Sequence, residues 1–253
     1  MGKRKLKIQI IIAVFIVFFL FAGVTAAAAE PLVSIDGSLF DESPESASTV
    51  MKLLLVLTVL TLLPSILIMM TGFTRIVIVL SFTRNAMNTQ QAPPNQVIIG
   101  LALFLTLFIM RPVFMDLNDR AYKPFMEGTV SQEEALNTGA SIIKEFMLKN
   151  TYSQDVNLFI ELSDGEAPET LDDLPLTTVI PAFITSELKT AFKMGFYLYI
   201  PFIVIDMIVA STLMSMGMMM LPPTLISMPF KLLLFILVDG WSITVETLVK
   251  SFN

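Results

Sequence analysis

Three charges stand where an apolar environment penalises them. Lys193, Asp206 and Asp239 lie inside two long apolar runs between Ile180 and Trp241. At the centre of a membrane helix such a residue costs roughly 2.5–3.5 kcal/mol on insertion scales, so each needs a partner or a task. One task is proton or ion transfer through Asp206. The alternative is that these charges pair with one another or with neighbouring subunits. Glu187 and Lys189 stand just upstream, with Lys189 and Lys193 one turn apart and Glu187 on another face, which suits an intersubunit ion pair or a helix-end anchor. Between the two runs comes a second unusual group: Met214, Met216, Met218, Met219 and Met220, followed by Leu221-Pro222-Pro223. Thioethers are soft copper(I) ligands, but with no Cys or His beside them a metal role has little support. Flexible apolar side chains also fill irregular gaps. They suit ordinary packing, or a gasket closing on a passing polypeptide.

Other chemistry is excluded by residue type. The chain has no His and no Cys. Disulfides, thiolate nucleophiles and imidazole as base or metal ligand are therefore absent, and serine and threonine nucleophiles lack a histidine partner. No phosphate-binding loop or hydrolase signature occurs, so neither an enzyme nor a cofactor is expected. A net charge of −6 argues against nucleic acid.

The elements that must position these residues are helical. The chain is 55% hydrophobic and 15% charged, against about 25% charged in soluble domains. The fold class expected is all-α: hydrophobic helical hairpins with a soluble acidic helical insert, in a multi-pass membrane protein. Residues 1–29 read as a cleaved signal, with Lys3, Arg4, Lys5 and Lys7 before an apolar run and then small residues. An uncleaved first span is the alternative. Residues 30–50 read as a flexible linker. Residues 51–112 form the first hairpin, Leu53–Met70 with a kink at Pro64 and Val97–Met110, a helix that could start near Pro94. The loop at 75–94 carries Arg75 and Arg84 and no acid, which places it on the cytoplasmic side.

Residues 113–179 form the insert, on the opposite side of the membrane, with thirteen acids between Phe114 and Thr178. Ser131-Gln132-Glu133-Glu134 has the form of a capping box, which predicts a helix over 132–149. A second helix is expected over 153–162. Residues 180–253 form the second hairpin, with the methionine-rich loop at 214–223. Pro222-Pro223 is expected to end the third helix and leave a non-helical turn. Such backbone is tolerated at membrane depth where protein surrounds it or it lines a cavity. Leu232–Val249 is read as the last span.

Long runs of this chain resemble the FliP family of export-gate proteins. They are Pro181-Ala182-Phe183, Ser186-Glu187-Leu188-Lys189, Ala191-Phe192, Gly195-Phe196, Ile200-Pro201-Phe202 and Ile205-Asp206. Arg75–Ser81, Gln91–Thr106 and Met218–Pro223 are similar too. Near Thr83–Thr89 the family usually carries Leu at Thr83 and Met87 and Gly at Asn88. The resemblance implies a subunit of the type III secretion export gate in the bacterial inner membrane at the flagellum basal body. It implies a homo-oligomeric ring with FliQ and FliR, with FlhB and FlhA nearby, passing unfolded flagellar rod, hook and filament subunits. The methionine loop would be the pore gasket. The assembled helices would stand largely above the bilayer, so that Lys193, Asp206 and Asp239 face protein. A virulence-type gate shares this core; the signal at 1–29 favours the flagellar branch.

Overall fold

A computed structural model describes residues 44–252, apart from 90–91, 164–169 and 219. The expected signal and most of the expected linker lie outside these residues. Among the described residues the secondary structure is helical throughout, with no strand.

The chain divides into two units, the first ending at Val59 and the second beginning at Leu60. The described part of the first is the start of helix α1, Pro44–Met69. This helix starts inside the segment expected as linker, because Pro44 suits a first-turn position. Pro64 stands within it. Leu54, Leu55, Val56 and Leu57 are all exposed, so α1 has no single apolar face.

The second unit holds the core. Helix α2, Phe73–Ala86, buries Arg75, Ile76, Val79, Leu80, Thr83 and Ala86 at three- and four-residue spacing. That pattern is one face of a helix. The expected loop at 75–94 is therefore mostly a packed helix. Arg75, read as a loop charge, is instead a buried residue of this helix. The turn after α2 passes through Asn88 with φ 58°. Asparagine is among the few residues that visit this left-handed region readily, and glycine is the other.

Helix α3, Asn95–Ile109, follows as a continuous apolar helix. It meets helix α4, Arg111–Leu117, which continues through a π-turn, Asn118–Tyr122, into α5, Lys123–Met126. The axis bends by 53° at the α3–α4 junction. Helix α6, Gln132–Lys149, carries the expected capping box in full: Glu134 N–H donates to Ser131 Oγ at 3.2 Å, and Ser131 N–H donates to Glu134 Oε2 at 2.9 Å. The second bond holds the Glu134 carboxyl below the usual carboxylate range. Helix α7 is Ser153–Leu162, and a short 3₁₀ turn covers Leu171–Asp173.

Helix α8, Leu176–Ser215, has 40 residues. At about 1.5 Å per residue it is roughly 60 Å long, twice a bilayer's hydrocarbon thickness. It runs without interruption through Pro181 and Pro201. Helix α9, Pro223–Leu237, turns back along it, and α10, Gly240–Lys250, follows after a 63° bend. The expected last span is thus broken at Asp239, which adopts a left-handed φ of 51°. Among the described residues, α8 alone is one straight helix long and apolar enough to cross a membrane; each bent pair, α3 with its continuation to Met126 and α9–α10, would make one more.

The core centres on α2 against α8. Ile76, Val79, Leu80, Ile98, Ala102, Ala191, Leu248 and Phe252 form one buried cluster. Gly195 allows the approach: a Cβ there would lie 2.6 Å from the Phe82 ring. Phe82 also meets Phe192 edge-to-face at 5.5 Å. A second cluster, with Met147, Val156 and Phe183, joins the insert to the start of α8. Gly195→Val should force α2 off α8 and lower stability by about 1–3 kcal/mol. Thermal unfolding in detergent checks this, and adding Phe82→Ala should recover part of the loss.

Candidate functional site

The buried charges come together through tertiary contacts, and each is matched. Arg75 and Glu187 are both almost fully buried. Arg75 Nε donates to Glu187 Oε2 at 3.0 Å, and Nη2 donates to Oε1. Nη1 donates to the Ser251 carbonyl at 2.8 Å and to Ser251 Oγ at 2.9 Å. The Phe252 ring covers the guanidinium at 3.8 Å. Phe252 in turn sits against Gly72, where a Cβ would lie 2.6 Å from the ring. Glu187 was singled out in sequence; Arg75 was read as a loop charge, and the C-terminal turn was not expected to take part. No local pattern joins residues 112 and 176 positions apart.

Asp206 finds its partners on α9. Lys231 Nζ donates to Asp206 Oδ2 at 2.6 Å, and Ser227 Oγ donates to Oδ1 at 2.5 Å. Lys231 and Ser227 are buried; Asp206 keeps partial exposure. Ser227 and Lys231 are four residues apart, one helical turn, so both reach the same carboxylate. That spacing is the signal that could have revealed the site. Among the expected partners, Lys193 instead sits over the Tyr152 ring at 5.6 Å from its centroid. Asp239 is exposed at the α9–α10 bend, with no side-chain partner among the described residues.

The insert is pinned to α8 by a third carboxylate. Asp155, 2% exposed, accepts from Ser186 Oγ at 2.6 Å and from Lys189 Nζ. Ser186 Oγ accepts from the Tyr152 backbone N–H at 3.0 Å. Burial pushes the Asp155 carboxyl up, but the Lys189 ammonium and the Ser186 hydroxyl outweigh it and hold the group below the usual range.

The methionine loop starts at a helix stop that sequence reasoning assigned to the prolines. Gly217 takes φ 76°. Met218 N–H donates to Leu213 O, and Gly217 N–H donates to Met214 O, both at 3.0 Å. This is a Schellman motif, which satisfies the last carbonyls of α8. The helix therefore ends before Pro222-Pro223, because a glycine at that position takes the left-handed turn without a Cβ clash. The prolines act at the other end: Pro222 caps α9 and Pro223 is its first residue. Met214, Met216 and Met220 project outward, Met220 being 98% exposed. Met218 is half-buried, and Met219 lies outside the described residues.

This is a helical membrane protein whose buried charges, Arg75, Glu187, Asp155 and Lys231, are held in ion pairs and whose long hairpin turns through a loop with Met216 and Met220 exposed. The chain belongs to the FliP family, whose profile matches residues 56–248. It is 57% identical over 216 residues to the flagellar biosynthetic protein FliP of Bacillus subtilis, covering 85% of this chain and 98% of that one. It is 52% identical over 199 residues to the protein of the same name from Pectobacterium carotovorum, covering 79% and 77%. Against that of Aquifex aeolicus it is 49% identical over 204 residues, covering 80% and 85%.

Two outcomes are expected. Glu187→Gln should leave the Arg75 guanidinium buried without its counter-charge and cost about 3–5 kcal/mol. Denaturant unfolding in detergent measures it, and replacing both residues by Met should cost less. For Asp155, the folded group titrates below the unfolded one. Its stabilising contribution is therefore complete above the ordinary carboxylate value, near pH 4, and is lost as pH falls through the folded value. Thermal unfolding at about pH 7 and about pH 3 should show a smaller acid loss in Asp155→Asn than in the wild type.

Proposed function

We propose that this chain is a core, non-enzymatic subunit of the flagellar type III protein export gate. Family membership across residues 56–248 carries the reading. In this reading copies form a ring with FliQ and FliR, close to FlhB and FlhA, in the bacterial inner membrane at the flagellum basal body. Unfolded rod, hook and filament subunits pass along its axis. Residues 1–29 serve as a cleaved signal, 113–179 form the extracytoplasmic insert, and 180–253 form the hairpin that carries the gate. The flagellar branch is favoured over a virulence gate by the relatives' names.

Met214, Met216, Met218, Met219 and Met220 supply the gasket, with Pro222 and Pro223 shaping the loop. The geometry supports this role in two ways. The methionines stand at the end of a hairpin tied together by Asp206, Ser227 and Lys231. Met214, Met216 and Met220 are turned out from their own subunit, Met216 being 66% exposed. Thioether side chains adapt to varied surfaces, and a closed apolar ring excludes ions. Glu187, Lys189 and Asp206 hold the subunit's own helices together rather than transfer ions, and Lys193 and Asp239, outside these ion pairs, act in assembly.

Deletion of Met216–Met220 should leave complex formation intact and make the membrane leak ions. Ion flux into vesicles carrying the purified complex reads this directly, and an ion-tight deletion would end the gasket assignment.

A further inference from the structure

The two bends each leave one charge unmatched. At the α3–α4 junction Arg111 is exposed, and no hydrogen bond or ion pair engages it among the described residues. At the α9–α10 junction Asp239 is in the same position. Both charges sit in apolar surroundings. Phe108 and Met115 flank Arg111 within about one turn, and both are exposed. Ile236 and Leu237 precede Asp239 and are 74% and 73% exposed. Each bend is thus an apolar patch with a single charge in it, and the two charges have opposite sign.

The occupant of these patches follows from the charges. Lipid would cover the apolar residues but leave both charges uncompensated. Water would satisfy the charges but leave large apolar side chains exposed. A second copy of this chain does both at once if its Asp239 bend meets the Arg111 bend. The contact is heterologous, since different patches meet, and such a contact repeated by a rotation that closes on itself generates a ring. Surrounding apolar residues would exclude water from the ion pair and strengthen it.

We infer that Arg111 of one copy pairs with Asp239 of the next, and that this pair sets the register between adjacent copies. The inference rests on the ring reading above and names its contact. It gives a role to Asp239, and to the left-handed residue that breaks the last helix there.

The absence of native cysteine makes the test clean. Two differently tagged full-length copies, Arg111→Cys and Asp239→Cys, are co-expressed with the export-gate partners, purified in detergent and treated with a short bis-maleimide cross-linker, because an arginine–aspartate pair holds its Cα atoms farther apart than a disulfide spans. A cross-linked dimer containing both tags is expected. Pairing either one with Glu161→Cys, an exposed position in the insert, should give little dimer. Arg111→Glu and Asp239→Lys should each lower the yield of assembled complex on the order of tenfold, and both together in one chain should restore it. An assembled complex without the cross-link, or one that links Glu161→Cys equally well, would overturn this contact and leave the ring intact. Wild-type copies that do not associate would overturn both.

Discussion

A guanidinium buried in an apolar core cannot be left with idle donors, and Arg75 imposes that constraint on the whole second unit. Its donors need a carboxylate, a carbonyl and a hydroxyl, and these come from Glu187 and Ser251. Satisfying them draws α2, the middle of α8 and the C-terminal turn to one point. Phe252 then closes the guanidinium face, and Gly72 gives that ring room. The apolar cluster around Ile76, Ala191 and Leu248 packs on the same axis, so the ion pair and the core specify one arrangement. Buried pairs often add little net stability against apolar replacements. What this one adds is a definite register between α2 and α8, because fork-shaped hydrogen bonding is directional.

The same rule recurs along α8 and explains its length. Asp155 and Ser186 fix the insert near its start, Glu187 fixes the core, and Asp206 fixes α9 further on. Glu187 and Asp206 are nineteen residues apart, roughly 28 Å along the axis. One continuous helix therefore links the acidic insert to the methionine loop. A continuous helix is stiff on this scale, and the loop that follows is held by a Schellman motif rather than by chance geometry. The loop's position is thereby set by contacts made well away from it.

What remains on the outside is unusual for a chain that folds and functions alone. Phe196, Tyr197, Met207 and Ile208 on α8 are exposed, as are Phe104 and Phe108 on α3. Surfaces this apolar need lipid or protein against them. The α8 helix is about twice as long as a bilayer needs, and the two bent pairs carry charge at their bends. Such features suit a subunit completed by its neighbours.

Much of this was legible in local sequence. The capping box at Ser131–Glu134 marked the α6 start, and apolar spacing marked the rest of α6, because these signals depend on residues within one or two turns. Composition and apolar runs marked an all-helical membrane protein, and the export-gate family could be read from its motifs. The cost of intramembrane charge marked Lys193, Asp206 and Asp239 as residues needing partners. Which partners they have was decided by tertiary structure. Arg75 reads as a positive loop residue until α2 folds against α8, and Lys231 reads as one charge in an apolar run until α9 turns back. The stop at Gly217 was visible as a residue type but was outweighed by the double proline. The bend at Asp239 did leave a local mark, the Asp239-Gly240 pair, because Asp-Gly favours a turn and aspartate visits the left-handed region more readily than most residues; the apolar run around it outweighed that signal. Sequence states what a charge or a carbonyl must have; only the fold, which joins residues more than a hundred positions apart, settles what supplies it.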